Sequence, residues 1–304
     1  MSLVVAFGNP VYDEIITPVV KTAGRVLSGC STNACLALSR LGHPTALVGR
    51  IGDDYYECFV ADLQKYGVAG YAERGPQTGG FRLVYDHRGD RTLEVLGLAP
   101  PIEHVPAVCA EARAIIIGPI LQETPLSLIQ GISAVSRAPL FLDPQGLLRR
   151  LRDGEQVEHF SPQNFGRIAS LCQVVKANEV EAQVLTGRNP REDPYGAVRA
   201  LRELGGRVAI VTLAEAGSVI DNGEQQWRIP AYPTDARDPT GAGDTYMAGL
   251  LHAYLDDPVD LYRAGCVGAA TASIWIEHTG PDAPITPDEV MRRTGVLLQE
   301  RLAG

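Results

Sequence analysis

One segment in the last quarter of the chain combines the residue types that hold an anion and accept a proton. Residues 238–246 read Asp-Pro-Thr-Gly-Ala-Gly-Asp-Thr-Tyr and run directly into an apolar helical pattern. The small residues Gly241, Ala242 and Gly243 let the backbone approach a ligand, and the N–H groups at a helix start attract negative charge. Asp244 is placed beside them to accept the proton of a hydroxyl group. The structural alternative is a tight loop and a helix cap.

Other common reactive or nucleotide-binding motifs are missing. The chain has three lysines, Lys21, Lys65 and Lys176, and none follows a glycine, which excludes a Gly-Lys-Ser/Thr phosphate loop. It lacks His-Arg-Asp and Asp-Phe-Gly, and its first apolar run is not followed by GxGxxG. It also lacks GxSxG, HExxH and a His/Cys cluster with metal-binding spacing. These absences argue against P-loop and protein kinases, nicotinamide enzymes, serine hydrolases and zinc enzymes.

Composition sets the broad class of protein. The 304 residues are 45% hydrophobic, which is enough for a large core. A formal net charge of -9 without a block of Lys or Arg argues against a nucleic-acid groove. Six cysteines without a CxxC pair are typical of reduced core thiols. With no basic leader and no run of about 18 apolar residues, we expect a cytoplasmic protein that binds neither membrane nor nucleic acid.

Short apolar runs alternate with helical periodicities along most of the chain. The runs that read as buried strands are residues 4–8, 46–49, 114–118, 140–143, 174–177 and 208–213. The helical patterns between them are residues 33–41, 55–66, 127–135, 179–185 and 197–204, and the chain reads as helical from Gly241 onward. This alternation predicts an α/β fold, a three-layer, doubly wound, mostly parallel sheet, in a single domain over residues 1–304.

One stretch departs from this alternation. Residues 81–86 and 91–96 alternate apolar and polar side chains around the turn-rich residues 86–90, which predicts an antiparallel hairpin. We expect residues 12–27 and 78–99 to form a small β-sheet lid over one end of the main sheet. The alternative is an edge hairpin of the main sheet. Because an exposed strand edge recruits partners, a homodimer through the lid is also open.

Five ordered segments resemble the ribokinase-like carbohydrate kinases, also called the phosphofructokinase B family. Residues 238–249 resemble the carboxy-terminal signature of that family, and residues 29–33 resemble its sugar-binding turn. Residues 47–54 are similar to the strand that follows, and residues 176–181 to the Asn-x-x-Glu motif. Residues 211–217 are similar to the nucleotide-side strand and turn. Because the order and spacing agree, the resemblance covers nearly the whole chain.

The resemblance implies an ATP-dependent kinase that transfers the γ-phosphoryl group to a hydroxyl of a small sugar or polyol. Mg²⁺ is implied with it, and a monovalent cation is an open option. Asp244 would be the catalytic base. The amides of Gly241, Ala242 and Gly243 would form the anion hole for the transferred group.

The same resemblance implies binding roles on two sides of the site. The residues implied in binding the acceptor are Asp13, Gly29 and Asn33. Those implied in binding the nucleotide and its metal are Asn178, Glu181, Thr212, Gly217 and Thr240, with Glu181 reaching Mg²⁺ through water. The alternatives are a turn residue for Asp13, a polar helix residue for Asn33 and a solvated helix face for Glu181.

Three positions depart from the family pattern. Ser28 stands where the sugar-binding turn has its first glycine, and Cys30 stands where many ribose-type members carry a lysine. Ala214 stands where the nucleotide-side strand has its usual glycine, which would narrow the nucleotide site. None of these changes removes a group with an implied catalytic role.

Residues 143–149 bear on the substrate. Their Asp-x-Gln-x-x-x-Arg pattern resembles the inositol-kinase-like branch, and Arg149 is expected to bind the substrate, or else phosphate or a helix end. The candidate acceptors are a cyclic polyol such as myo-inositol, a hexose or keto-sugar acid, and a nucleoside. With aromatic residues at 6%, no platform for stacking a base is evident, which favours the polyol or sugar. A catalytically silent nucleotide-binding regulator and a nicotinamide-binding oxidoreductase are the functions left open.

Overall fold

The computed structural model describes residues 3–87, 91–153 and 156–303. Its strands are β1 (Val4–Phe7), β2 (Val11–Ile16), β3 (Val26–Ser28), β4 (Thr45–Gly52), β5 (Val68–Gly75), β6 (Gly80–Tyr85), β7 (Arg91–Gly97), β8 (Ala114–Ile117), β9 (Leu140–Leu142), β10 (Arg149–Arg152), β11 (Gln156–His159), β12 (Val174–Asn178), β13 (Val208–Thr212), β14 (Ser218–Asp221) and β15 (Gln226–Ile229). Its helices are α1 (Cys30–Arg40), α2 (Tyr56–Tyr66), α3 (Leu126–Val135), α4 (Phe165–Ala169), α5 (Glu179–Thr186), α6 (Pro194–Glu203), α7 (Ala242–Asp256), α8 (Leu261–Ile276) and α9 (Pro287–Ala303). Short 3-10 turns lie at Ala107–Glu111, Gln145–Leu148 and Ala214–Ala216.

The central sheet has the strand order β15-β14-β13-β12-β9-β8-β1-β4-β5. The strands from β13 to β5 in this order pair in parallel. β14 pairs antiparallel with β13 on one side and with β15 on the other. The six apolar runs of the sequence are the inner strands β1, β4, β8, β9, β12 and β13, which confirms the predicted parallel sheet. The sequence did not predict β5, β14 and β15, because polar residues or glycine interrupt their apolar residues. In β14, for example, Ser218 and Asp221 flank only two apolar residues, although the whole strand is buried.

Helices cover both faces of this sheet. One core cluster packs α1, α7 and α8 against one face, and a second packs α3, α5 and α6 against the other. The alternation is visible in β1, where Val4 and Ala6 belong to the first cluster and Val5 and Phe7 to the second. This arrangement confirms the three-layer prediction. Within the described residues, none of the helices combines the length and the apolar character of a membrane span.

A separate four-stranded sheet, here called the lid sheet, has the order β3-β2-β6-β7. Because β6 pairs with β2 on one side and with β7 on the other, the alternative of an edge hairpin on the main sheet is wrong. Its inner face buries Ile15, Phe81 and Leu83 in a small core. Residues 88–90 of the turn expected at residues 86–90 lie outside the described residues. A hairpin of β10 and β11, which the sequence did not predict, adds Val157 to the same core.

A histidine pair joins the ends of α1 and α7 that lie away from their first turns. His43 Nε2 and His252 Nδ1 are 2.7 Å apart, and both side chains are half-buried. Burial lowers the pKa of both imidazoles, and the neighbouring histidine and Arg113 lower that of His43 further. The charge of Asp256 acts in the opposite direction on both. The folded protein therefore favours the neutral form of the pair.

This pair predicts a loss of stability in mild acid. In the unfolded chain these histidines take up protons near their ordinary pKa of about 6.5, whereas in the folded chain they resist protonation. The contribution of this pair to the free energy of unfolding should therefore be constant above that pH and decrease as the pH falls below it. Calorimetry between pH 7.5 and 5 should show a smaller decrease in Tm for His43→Gln/His252→Gln than for the wild type. His104→Gln, which removes an exposed histidine, is the matched control. Equal decreases in all three proteins would contradict the assignment.

Candidate active site

The first turn of α7 is built around a glycine that no other residue can replace without strain. Gly241 precedes the helix with φ +84°, in the left-handed region. A Cβ atom on it would lie 2.7 Å from Trp275 Nε1 and 2.9 Å from Asn33 Nδ2. The same indole N–H donates to the Thr240 carbonyl at 2.8 Å. Trp275 therefore fixes the loop that leads into α7.

Residues 241–243 open the helix, as predicted for an anion hole. The Ala242 N–H donates to the Pro239 carbonyl at 3.2 Å, so an anion must compete with this bond for that amide. Gly243 lies in the first turn of α7, where N–H groups point out of the helix. The local geometry suits an anion, and the role of these three amides stays a prediction.

Asp244 lies in the same turn and is 8% exposed. Its Oδ2 accepts a hydrogen bond from Asn33 Nδ2 at 2.9 Å, so its partner belongs to another helix. Burial is the main cause that raises its pKa, and the charge of Asp143 adds to it. The charge of Lys176 and the bond from Asn33 act in the opposite direction. Asp244 is thus a buried carboxylate that is hydrogen-bonded to α1. Its role goes beyond capping its own helix.

The acceptor-side residues come from α1 and the lid sheet. Gly29 precedes α1 with φ +117°, and a Cβ there would lie 3.1 Å from the Asn9 carbonyl oxygen. Asn33 lies one turn further and is almost fully buried. The first turns of α1 and α7 therefore meet at Asn33 and Asp244, and the positive ends of both helix dipoles face this point.

Asp13 belongs to the lid sheet. It lies within β2, so its interpretation as a turn residue is wrong. Its Oδ1 accepts a hydrogen bond from the Phe81 N–H of β6 at 2.7 Å, and the side chain is buried. A role in binding substrate hydroxyls stays a prediction for Asp13, Gly29 and Asn33.

A buried ionic cluster, made of Asp143, Lys176, Glu181 and Asp244, lies behind the first turn of α7. Lys176 Nζ is 2.6 Å from Asp143 Oδ2, and both side chains are less than 5% exposed. Cys30 Sγ and one carboxylate oxygen each of Asp143 and Asp244 lie within 4.8 Å of one another. Neither Asp143 nor Lys176 has a chemical role predicted from the sequence. The signal that points to Lys176 is a lysine inside a buried strand of a chain with three lysines.

Asn178 and Glu181 form a reciprocal cap at the start of α5. Asn178 Oδ1 accepts from the Glu181 N–H at 3.0 Å, and the Glu181 carboxylate accepts from the Asn178 N–H and Nδ2 at 2.9 and 2.8 Å. Glu181 is 2% exposed, so its interpretation as a solvated helix face is wrong. Burial, with the charge of Asp143, raises its pKa to about 7, while Lys176 and Arg149 counteract the shift.

The donor set of this cap suits Mg²⁺ held through water. Each carboxylate oxygen of Glu181 already accepts one hydrogen bond from Asn178 and keeps a lone pair for a further donor. Mg²⁺ prefers oxygen ligands and usually retains several waters. Glu181 therefore fits the outer coordination of a magnesium ion, and this assignment is a proposal.

Arg149 is buried beside the cluster. Its Nη2 donates to Gln145 Oε1 at 2.8 Å, and its charge acts on Glu181. It begins β10, directly after the 3-10 turn Gln145–Leu148. Its contact with substrate stays a prediction.

The residues predicted to lie along the nucleotide surround the turn after β13. Thr212 ends β13. Gly217 has φ +83°, and a Cβ there would lie 2.1 Å from the Ile229 carbonyl oxygen, so the passing backbone requires glycine. Ala214 has φ +46°, a left-handed conformation that costs a residue with a Cβ about 1 kcal/mol. Nucleotide contacts of Thr212 and Gly217 stay predictions.

Thr240 joins the lid sheet to the loop before α7. Its Oγ1 donates to the Tyr85 hydroxyl of β6 at 3.0 Å, while its carbonyl accepts from Trp275. Beside it lies a cavity of about 10 Å³, bounded in part by Ile15 of the lid sheet and by Asn33. This volume holds about one water molecule. If an acceptor binds at Asn33, as predicted, the lid sheet must move away from Asn33 to admit it.

Known proteins resemble this chain in sequence or in fold. The nucleoside kinase of Methanothermobacter thermautotrophicus is 26% identical over 319 residues, covering 95% of this chain and 94% of that protein. A pyrophosphate-dependent kinase of the ribokinase family, solved with a pyrophosphate analog and myo-inositol, shares the fold with a TM-score of 0.80 and 20% identity, covering 95% of this chain and 99% of the other. Arabidopsis thaliana ribokinase, solved with ribose and ATP, has a TM-score of 0.75 and 17% identity, covering 96% and 98%.

The profile of the pfkB family carbohydrate kinases matches residues 3–288. This range includes the lid sheet, the central sheet and the first turn of α7 with Asp244. The chain belongs to the pfkB family of carbohydrate kinases, the ribokinase-like kinases.

Proposed function

We propose that this kinase transfers the γ-phosphoryl group of ATP to a hydroxyl of a small sugar or cyclic polyol. The observation that carries the proposal is Asp244, a buried carboxylate in the first turn of α7 that Asn33 holds in place. When a hydroxyl group attacks a phosphoryl group, the reaction requires a proton acceptor for the hydroxyl and an anion-binding site for the phosphoryl oxygens. Asp244 and the start of α7 provide both at one point.

In the proposed step, the acceptor oxygen forms a bond to the γ-phosphorus while the bond from this phosphorus to the bridging oxygen breaks. ADP leaves with the electron pair of that bond, and the hydroxyl proton moves to Asp244. Because an alcohol is a far weaker acid than a carboxylic acid, the proton moves late, as the loose transition state develops. Mg²⁺, when bound near Asn178 and Glu181, supplies positive charge to the phosphates.

Two features support a sugar or polyol as the acceptor. Asp13 and Asn33 provide a carboxylate and an amide that select hydroxyl groups, since a compound without them leaves buried polar groups unpaired. One aromatic pair, Tyr12 of the lid sheet and Tyr55, is stacked with a centroid distance of 4.4 Å. The Tyr12 hydroxyl also donates a hydrogen bond to Asp62 Oδ2 at 2.6 Å. These two rings therefore already pack against each other and do not offer a free face for stacking a base. The similar structure with myo-inositol agrees with this choice.

A nucleoside is the second candidate acceptor. The observation that favours it is the similarity to the Methanothermobacter nucleoside kinase along nearly the whole of both chains. A nucleoside presents the same kind of ribose hydroxyl to Asp244, so the catalytic step is unchanged.

The acceptor is tested by ADP production from Mg·ATP with myo-inositol, ribose, fructose, 2-keto-3-deoxygluconate, adenosine, inosine and cytidine. We expect one sugar or polyol to give the highest kcat/KM. A nucleoside with the highest value would select the second candidate. Pyrophosphate is added as a second donor because the similar inositol-bound structure is pyrophosphate-dependent. Absence of acceptor-dependent phosphoryl transfer with every pair would contradict the proposal.

Asp244→Asn should separate catalysis from binding. The amide keeps the size of the carboxyl group but cannot take the proton, so we expect kcat to fall by about 100-fold or more, with the Kd of ATP and the Tm near those of the wild type. Steady-state kinetics and titration calorimetry measure these quantities. Asp53→Asn, which removes a surface carboxylate paired with Arg74, is the matched control. A variant with wild-type kcat would rule out Asp244 as the base.

Tyr85→Phe tests the lid sheet as a barrier to water. The change removes the hydroxyl that accepts from Thr240, and we expect a cost of about 1 kcal/mol in stability. A looser lid sheet should admit water, so ATP hydrolysis should rise several-fold relative to acceptor phosphorylation. The ratio of inorganic phosphate to phosphorylated product measures this effect. Tyr71→Phe, at an exposed tyrosine of β5, serves as control. An unchanged ratio in Tyr85→Phe would refute the barrier.

A further inference from the structure

Lys176 is a buried cation without a role in the step described above. Lys21 and Lys65 are exposed, whereas Lys176 is 2% exposed, within β12. Removing an ammonium group from water costs several kcal/mol unless it is paired. The register of β12 beside β9 sets Lys176 next to Asp143, which provides the pair at 2.6 Å. Because burying this cation is costly, we expect a function that requires it.

The ammonium group of Lys176 lies against the first turn of α7. A Cβ atom on Gly243 would lie 2.6 Å from Lys176 Nζ and 4.0 Å from Asp143 Oδ2. The absence of a side chain on Gly243 therefore leaves room for the ammonium group against the first turn of α7. That turn also provides the N–H groups predicted for the anion hole. Lys176 thus adds a full positive charge beside the positive end of a helix dipole.

Neighbouring acids keep this charge in place. Burial alone would lower the pKa of Lys176, but the charges of Asp143 and Glu181 outweigh burial and the pKa lies above its ordinary value. The ammonium group is therefore protonated at neutral pH. Asp143 holds it in position, and an entering phosphate oxygen offers a second anionic partner, as in a charge-assisted hydrogen bond.

We propose that Lys176 is a phosphoryl-binding residue whose ammonium group contacts an oxygen of the γ-phosphoryl group at the start of α7. This proposal rests on the proposed function, because it concerns the same phosphoryl group. In it, Asp143 is a positioning residue that acts through Lys176.

The surroundings of Cys30 fit this assignment. Cys30 Sγ lies within 4.8 Å of carboxylate oxygens of Asp143 and Asp244, so a side chain at position 30 reaches the buried ionic cluster. The thiol brings no positive charge to the cluster, whereas Lys176 brings one from β12.

The test uses Lys176→Met/Asp143→Asn, because Lys176→Met alone leaves a buried carboxylate unpaired and destabilises the fold. We expect the ratio of ATP to ADP affinity, measured by calorimetry, to fall at least tenfold, with the Kd of ADP within twofold of wild type. We expect kcat to fall at least 100-fold. A merely structural pair would weaken ATP and ADP alike. Lys65→Met/Asp282→Asn removes a surface pair of the same chemistry and is the matched control.

The outcomes separate this proposal from the proposed function. A wild-type ratio of ATP to ADP affinity in the folded double variant, or a wild type that does not bind ATP, would overturn the assignment of Lys176. A reduced ratio supports it even if no acceptor tested is phosphorylated, since the ratio needs no acceptor. Adding Cys30→Lys to the double variant places an ammonium group within reach of the same cluster, so kcat should rise at least tenfold. No rise at an unchanged Tm would contradict the view that a cation at this cluster binds the phosphoryl group.

Discussion

Two carboxylates, Asp143 and Asp244, approach each other in the core of this protein, where unbalanced charge is costly. Lys176 balances Asp143 directly, and Asn33 with the first turn of α7 stabilises Asp244. Each of these groups comes from a different element: the loop after β9, β12, α1 and α7. The site therefore exists only when β9 and β12 are neighbours and α1 packs against α7, which is what the central sheet order and the first core cluster provide.

The lid sheet completes this arrangement on the side of the acceptor. Within the lid sheet, Phe81 donates to Asp13, and Thr240 donates to Tyr85, so one hydrogen bond connects β6 to the loop before α7. The cavity left between the lid sheet and Asn33 holds about one water. A substrate that opens this contact and then lets it re-form would exclude water from the phosphoryl group, which is the physical reason to expect transfer to the acceptor over hydrolysis.

The sequence predicts the structural features that depend on local residue patterns. The six inner strands show as apolar runs, and the small residues before Asp244 show as a helix start that attracts anions. The pairing of β6 with β2 and the contact of Asn33 with Asp244, across 211 positions, depend on tertiary packing and leave little local trace. Lys176 has a visible local signal, a lysine in an apolar strand, but its pairing with Asp143 follows from the register of β12 on β9. The hairpin of β10 and β11 has no such signal.

In the proposed reaction, the buried groups around Asp244 direct a phosphoryl group to an acceptor hydroxyl. The most direct measurement is ³¹P nuclear magnetic resonance of a reaction with Mg·ATP and the best acceptor of the panel. We expect one phosphate monoester, formed in equal amount with ADP, and little inorganic phosphate. Inorganic phosphate as the main product, or ATP left unchanged by every acceptor, would contradict it.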